Sequence, residues 1–309
     1  METVSLNNTP DYVALSYTWG PPHQNPLHTI HLEETTFPVT ESLYTALQHL
    51  RPCSASDVTL RIWIDAVCIN QSDNLEKANQ VRKMRRIYQL ASQVLIWLGP
   101  SASGSDALLD LVTQIGQAVD DLGLAEVKMH SIQTMSNGEL AETNEKLNML
   151  FEEFEDLFPA TFPRAAYEAF ATRPWWRRVW IVQEIVLSTN EPTFAVGDYR
   201  ISYSLLKNFT NFLRLRSAAA HQMTRYIRHV QESVHTAAQQ IHAQGDVSEI
   251  MKTEVAHGEQ FNAIQAICAT TAIGVMIGFR LLYSRLRDER PHTLHNVLKH
   301  IIIRPGREG

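Results

Sequence analysis

Glu184 carries the most chemical interest in this 309-residue sequence. It closes the segment Arg173-Pro-Trp-Trp-Arg-Arg-Val-Trp-Ile-Val-Gln-Glu184. On a helix running from about Trp175 to Ser188, Trp176, Trp180, Gln183, Glu184 and Leu187 fall on one face. A carboxylate among aromatic rings is costly unless it is paired or used. If used, it can stabilise positive charge developing on a bound ligand. If paired, its partner is one of Arg173, Arg177 and Arg178.

Further candidates sit at the ends of apolar runs. Ser16, Tyr17 and Trp19 follow Tyr12-Val-Ala-Leu. Their hydroxyls and rings suit a nucleotide, and equally a rigid turn through Trp19-Gly20-Pro21-Pro22. Asp65 ends Leu60-Arg-Ile-Trp-Ile64, where it can hold a ribose or cap a helix. Asn70, Gln71 and Ser72 precede a helix, placing them to bind an anion or simply to cap it. Cys68 has no histidine beside it in sequence and reads as a small buried apolar residue. None of the 13 histidines belongs to an HExxH or Cys/His metal pattern, and no P-loop or GxGxxG is present.

These residues need a scaffold. Tyr12–Ser16, Leu60–Ile64 and Val94–Leu98 read as strands, the last without polar alternation and therefore covered on both faces. His28–Leu32 reads as an edge strand. Thr40 caps a helix carrying Leu43, Tyr44, Ala46, Leu47 and Leu50, which ends at Pro52. Asp73 and Glu76 suggest a capping box. The helix beyond it buries Leu75, Ala78, Val81, Met84, Ile87 and Leu90 or Ala91, with Lys77, Arg82, Lys83, Arg85 and Arg86 on its wet side.

Strand, helix, strand, helix, strand implies a parallel α/β sheet, with its site beyond the carboxyl ends of the strands, around Tyr17, Asp65 and Gly99. Residues 105–155 read as a polar, acidic helical insertion, Phe194–Tyr203 as a hairpin or edge strand around Gly197-Asp198, and Leu205–Lys299 as helical.

Composition sets the class. Hydrophobic residues make up 44% and charged residues 19%, and the net charge is −6. The chain is globular, without the overall basic character of a nucleic-acid or anionic-membrane binder. Three widely spaced cysteines, Cys53, Cys68 and Cys268, argue against a disulfide framework and for a reduced, intracellular protein. No signal peptide is evident. Gln260–Phe279 lacks charge, but its Gln, Asn and Thr residues favour a buried helix over a membrane span.

Three segments resemble the fungal heterokaryon incompatibility (HET) domain family in residue type, order and spacing. They are Tyr12-Val-Ala-Leu-Ser-Tyr-Thr-Trp-Gly20, Trp63-Ile-Asp-Ala-Val-Cys-Ile-Asn-Gln-Ser72 with its continuation to Gly99, and Arg173 to Glu184. Together they cover roughly residues 10–190. The family's usual Asp-Pro-Arg-Asp stretch has no counterpart in Arg287-Asp-Glu-Arg-Pro-His-Thr-Leu-His295.

The resemblance implies a self/non-self module that triggers cell death when unlike hyphae fuse. HET domains are in turn distantly similar to TIR domains, flavodoxin-like signalling modules of which some cleave NAD. The Trp180 to Glu184 spacing is similar to the one that carries the glutamate of catalytic TIR domains. By that likeness Glu184 would contact ribose hydroxyls and stabilise an oxocarbenium-like state as the nicotinamide bond breaks.

The expected architecture is a TIR/flavodoxin-like parallel sheet core with helical insertions and a mainly helical C-terminal region. Residues 1–205 form the HET domain, with an insertion at about 105–170, and 206–309 pack on it. The expected function is cytoplasmic allorecognition signalling through protein partners or self-association. The alternatives are a TIR-like NAD glycohydrolase and an inactive divergent relative. Glu184 is the catalytic candidate, and Ser16, Tyr17, Trp19, Asp65, Asn70 and Trp180 are the ligand-binding candidates. A nucleotide is a candidate ligand and NAD a candidate substrate. No cofactor, metal, nucleic acid or membrane span is expected.

Overall fold

A computed structural model describes residues 1–20, 28–51, 60–102, 104–127, 135–157, 161–178, 184–185 and 188–216. Four of its strands run parallel: β1 (Val13–Ser16), β4 (Ile62–Trp63), β5 (Gln93–Trp97) and β6 (Thr193–Val196). β1 lies between β4 and β5, in register Ala14 opposite Trp63 and Val94, and Ser16 opposite Ile96. β6 extends the sheet from β5, with Phe194 opposite Ile96. β7 (Tyr199–Ser202) follows β6 across Gly197-Asp198, giving the order β4-β1-β5-β6-β7. Gly197 takes φ 55, and a Cβ there would lie 2.5 Å from Ser101 Oγ, so this turn requires glycine.

The parallel strands follow the order 2-1-3-4, the pattern of flavodoxin-like doubly wound sheets. The chain leaves β1 toward β4 on one side and later returns to β5 on the other. The topological switch point therefore lies between β1 and β5.

Strand alternation gives the sheet two packed faces. Val13, Leu15 and Tyr17 join Leu95, Trp97 and Ala195 on one of them. Val39, Leu43 and Ala46 cover that face, contributed by the hairpin β2 (His28–Leu32)/β3 (Thr35–Val39) and helix α1 (Glu41–Leu50). The hairpin is a separate two-stranded sheet, so His28–Leu32 does not border the main one. Its tight turn puts Glu33 at φ 55. Thr40 caps α1, accepting from the Leu43 amide, and Arg51 leaves the helix extended, as a residue before proline must.

The strand ending at Trp63 runs straight into α2 (Asp65–Cys68), a single turn that hydrophobic periodicity does not reveal. The following helix is α3 (Asn74–Leu90). Its cap departs from the expected box. Asp73 accepts from the Leu75 and Glu76 amides, while the Glu76 carboxylate turns back to the Asn70 amide. Its buried residues are Met84, Ile87 and Tyr88. Leu75, at 79% exposure, and Leu90 face outward, against the expected apolar stripe.

The chain divides into two compact units. Of the described residues, the first holds those of 1–101 and 173–200, and the second those of 102–172 and 201–216. In the second unit, α4 (Ser105–Asp121) buries Leu108, Leu109, Leu111, Val112, Ile115 and Val119, so this helix is an apolar core element where a polar one was expected. A Cβ on Gly116 would lie 2.7 Å from the Leu205 carbonyl, and the Asn208 amide donates to the Gly116 carbonyl. The reciprocal capping box belongs to Ser136 and Glu139 at the start of α5 (Asn137–Glu153). Next comes α6 (Arg164–Ala171), and residues 203–216 are helical. Among the described residues no helix is long and apolar enough to cross a membrane. Gln260–Phe279 lies outside them, as does most of the region 206–309.

Candidate functional site

The site is built on the last residue of β1. Ser16 is buried and sits in the row Ser16–Ile96–Phe194 across the sheet. Pro174–Arg177 forms a 3-10 turn in front of this row. Trp175 packs edge-on against Phe194 there, at 6.1 Å between ring centroids, and Trp176 packs against both rings. Arg178 is extended, with ψ 137. The expected continuous helix from Trp175 to Ser188 is therefore broken at its first turn. Proline at the head of the turn and two buried indoles set a tighter local geometry than an α-helix allows.

The Ser16 hydroxyl is saturated. It donates to Glu184 Oε2, accepts from Trp175 Nε1 at 2.7 Å, and lies 3.4 Å from Arg178 Nη1. One donor and two acceptor positions are all a serine has. Glu184 is fully buried, and Arg178 grips it with both Nη groups, at 3.0 Å to Oε1 and 3.1 Å to Oε2. This planar, two-pronged contact is the strongest form of carboxylate recognition. Burial pushes the Glu184 pKa up, Arg178 and Ser16 pull it down, and the Asp65 charge adds a smaller upward push. Arg178 keeps 18% of its side chain exposed and Glu184 only 1%, so the guanidinium is the outer partner of the pair.

A second carboxylate lies on the β4 side of β1. Asp65 accepts from Trp19 Nε1 at 2.9 Å and from its own helix at the Ala66 amide at 2.7 Å. Burial raises its pKa, while Trp19, Ala66, Arg178 and Tyr17 oppose the rise. Burial and the Asp65 charge hold the Tyr17 hydroxyl far above its ordinary value. Tyr88 lies beneath, its hydroxyl donating to the Leu15 carbonyl. Burial first, and then the Glu184 and Asp65 charges, raise its pKa as well.

Ser16, Glu184, Tyr17, Trp19 and Asp65 thus come together at the carboxyl end of β1. Asn70 stands apart in the loop before α3, exposed, with its side chain accepting from the Ser72 amide. Trp180 lies outside the described residues. Cys68 is half-buried with its thiol pKa pushed up by burial, which disfavours a nucleophilic thiolate. Among the described residues no group of three or more His, Cys, Asp and Glu side chains could hold a metal ion.

Three contributors are not evident from spacing. Trp175 supplies the indole that fixes Ser16. Tyr88 sits below both carboxylates. Arg173 donates to the Leu98 and Pro100 carbonyls at 2.8 and 3.0 Å, tying the segment to the end of β5. Gly99, at φ 110, gives it room: a Cβ there would stand 3.0 Å from Arg173 Nη1.

The switch-point crevice, where open α/β sheets take their ligands, is thus filled by the chain's own Trp175, Arg178 and Glu184. In this geometry the Glu184 carboxylate holds the segment onto the sheet, and its oxygens are engaged by Arg178 and Ser16.

The site also lies within the part of the chain that matches known proteins. The family model of the heterokaryon incompatibility protein (HET) matches residues 12–184. The chain belongs to the HET family. Both carboxylates and the side chains described as bonding to them lie inside the HET match. A curated relative in the family, heterokaryon incompatibility protein 6, OR allele, from Neurospora crassa, is 32% identical over 235 residues. That alignment covers 69% of this chain and 32% of the relative, so the chain spans about a third of that protein's length. No solved structure gives a significant match.

Proposed function

We propose that this HET chain is an allorecognition signalling module that triggers programmed cell death in fungal hyphae, acting through protein contacts and self-association and not through turnover of a small molecule. The observation that carries this reading is the state of Glu184. Its carboxylate is buried, gripped by Arg178 and bonded to Ser16, an arrangement that serves to anchor a segment. Family membership and the naming of the Neurospora relative supply the biological context.

A second reading keeps support from position alone. Glu184 and Ser16 lie at the switch point, with Asp65 on the far side of β1, where a TIR-like NAD glycohydrolase would hold its substrate. In that reading NAD is the substrate, Glu184 faces the ribose once Arg178 swings out, Tyr17 and Trp19 hold the nucleotide, and no cofactor is involved.

Expressing the chain in hyphae as wild type and as Glu184→Gln, while incubating both purified proteins with NAD, separates the two. The signalling reading expects killing by both, provided Glu184→Gln folds, and no nicotinamide release by concentrated wild type. Nicotinamide release that disappears in Glu184→Gln would replace it with the enzymatic reading.

A further inference from the structure

Two helices of the chain carry opposite charge on faces turned fully away from their own cores. In α3 the buried residues are Met84, Ile87 and Tyr88, and the opposite side presents Leu75, Ala78, Arg82 and Arg85, all exposed. In α5 the buried residues are Thr143, Leu147 and Leu150, and the opposite side presents Glu142, Glu145, Met149 and Glu152, all exposed. Both sets follow the i, i+3, i+7, i+10 spacing that draws a straight stripe along a helix.

Each stripe pairs its charges with an unusually exposed apolar side chain, Leu75 at 79% and Met149 at 54%. Arg82 and Arg85 make no ion pair among the described residues, and neither do Glu145 and Glu152. Like charges three residues apart, Arg82 with Arg85, repel each other on the helix surface; on α5, Lys146 pairs with Glu142 at 2.7 Å and leaves Glu145 and Glu152 uncompensated. Opposite charge laid across them removes that repulsion. Both helices are 17 residues long, about 25 Å at 1.5 Å per residue, so the stripes match in length as well as in sign.

We infer that the basic, Leu75-bearing face of α3 docks onto the acidic, Met149-bearing face of α5 of a second copy of this chain. The two faces belong to different compact units and are not equivalent. The contact is heterologous, and it propagates head to tail into a ring or an open array. Two helix faces bury an area at the low end of stable interfaces, so assembly is weak, sensitive to concentration and to salt. This inference rests on the self-association reading and supplies its surfaces.

The test uses the full 309-residue chain in sedimentation velocity. One variant carries Arg82→Glu with Arg85→Glu, and a second carries Glu145→Lys with Glu152→Lys. Circular dichroism checks that both fold. Wild type is expected to assemble with rising concentration at about 20 mM salt and to dissociate by at least ten-fold at about 300 mM, where screening is strong. Each variant alone is expected to associate at least ten-fold more weakly, because its two faces now repel. An equimolar mixture is expected to recover assembly, since each variant's reversed face meets an opposite charge on the other.

If each variant assembles like wild type, or the mixture of folded variants stays monomeric, these surfaces are wrong while self-association through another face stands. If wild-type assembly ignores salt, the charged stripes are likewise excluded, whether or not the variants fold. If wild type is monomeric throughout, this inference and the self-association reading both fall.

Discussion

Ser16 and Tyr17 are neighbours in sequence, yet they serve two differently built corners at the carboxyl end of β1. On the β5 side, Ser16 meets a carboxylate neutralised by a cation, with Arg178 on both oxygens of Glu184. On the β4 side, Tyr17 meets a carboxylate held by neutral donors, the Trp19 indole and the Ala66 amide. Burial raises the pKa of both acids. The difference lies in the compensation. A buried ion pair fixes its partners because losing either strands a charge. A set of neutral donors can be exchanged for other donors at little cost, and the one at this rim, Trp19, is 39% exposed. The first corner is a clasp and the second is open to competition.

Removing the cation breaks this contrast most severely. Arg178→Met leaves Glu184 buried and unpaired and is expected to destabilise the fold by about 3–5 kcal/mol in chemical denaturation. An effect below about 1 kcal/mol would show that Glu184 is already protonated and that the clasp is a hydrogen bond.

Glu184→Gln is expected to cost less, about 1–3 kcal/mol, because Arg178 can turn its exposed edge to water. Combining it with Arg178→Met should recover part of the single-variant loss. A double-mutant cycle reads that recovery, and strict additivity would mean that the pair is not coupled.

The pH dependence sharpens the same point. A carboxylate whose folded pKa lies above its unfolded value binds more protons folded than unfolded. Its contribution is complete below the unfolded value of about 4 and is lost as pH rises to the folded pKa. Thermal melts of wild type and Glu184→Gln are expected to diverge in that direction, with wild type losing ground to the variant as pH climbs from about 4. A difference that grows in favour of wild type would reverse the direction of the Glu184 shift.

The smallest effect is expected at the open corner. Trp19→Phe removes one neutral donor from Asp65 and should cost about 0.5–1.5 kcal/mol, with the melt otherwise unchanged.

What sequence conveyed of this arrangement followed the range of the forces involved. Val94–Leu98 is an uninterrupted apolar run, and only a strand covered on both faces tolerates one. The parallel core and its shared rim were readable for that reason. The buried side of α3 was not. A 17-residue helix runs about 25 Å, while a strand of five residues spans about 17 Å. Burial of α3 is confined to its second half, from Met84 to Tyr88, and Leu75 faces water despite its helical spacing. The partner of Glu184 was narrowed to three arginines but not resolved, because the choice depends on an extended Arg178 and on a serine 162 residues earlier. Local periodicity cannot report a break imposed by Pro174 and two packed indoles, so the tryptophan segment was read as one helix.

The brevity of β4 has a further consequence. Only Ile62 and Trp63 pair with β1, so this border of the sheet offers a neighbouring molecule very little regular main chain to zip onto. Templated, amyloid-like growth from that border is disfavoured.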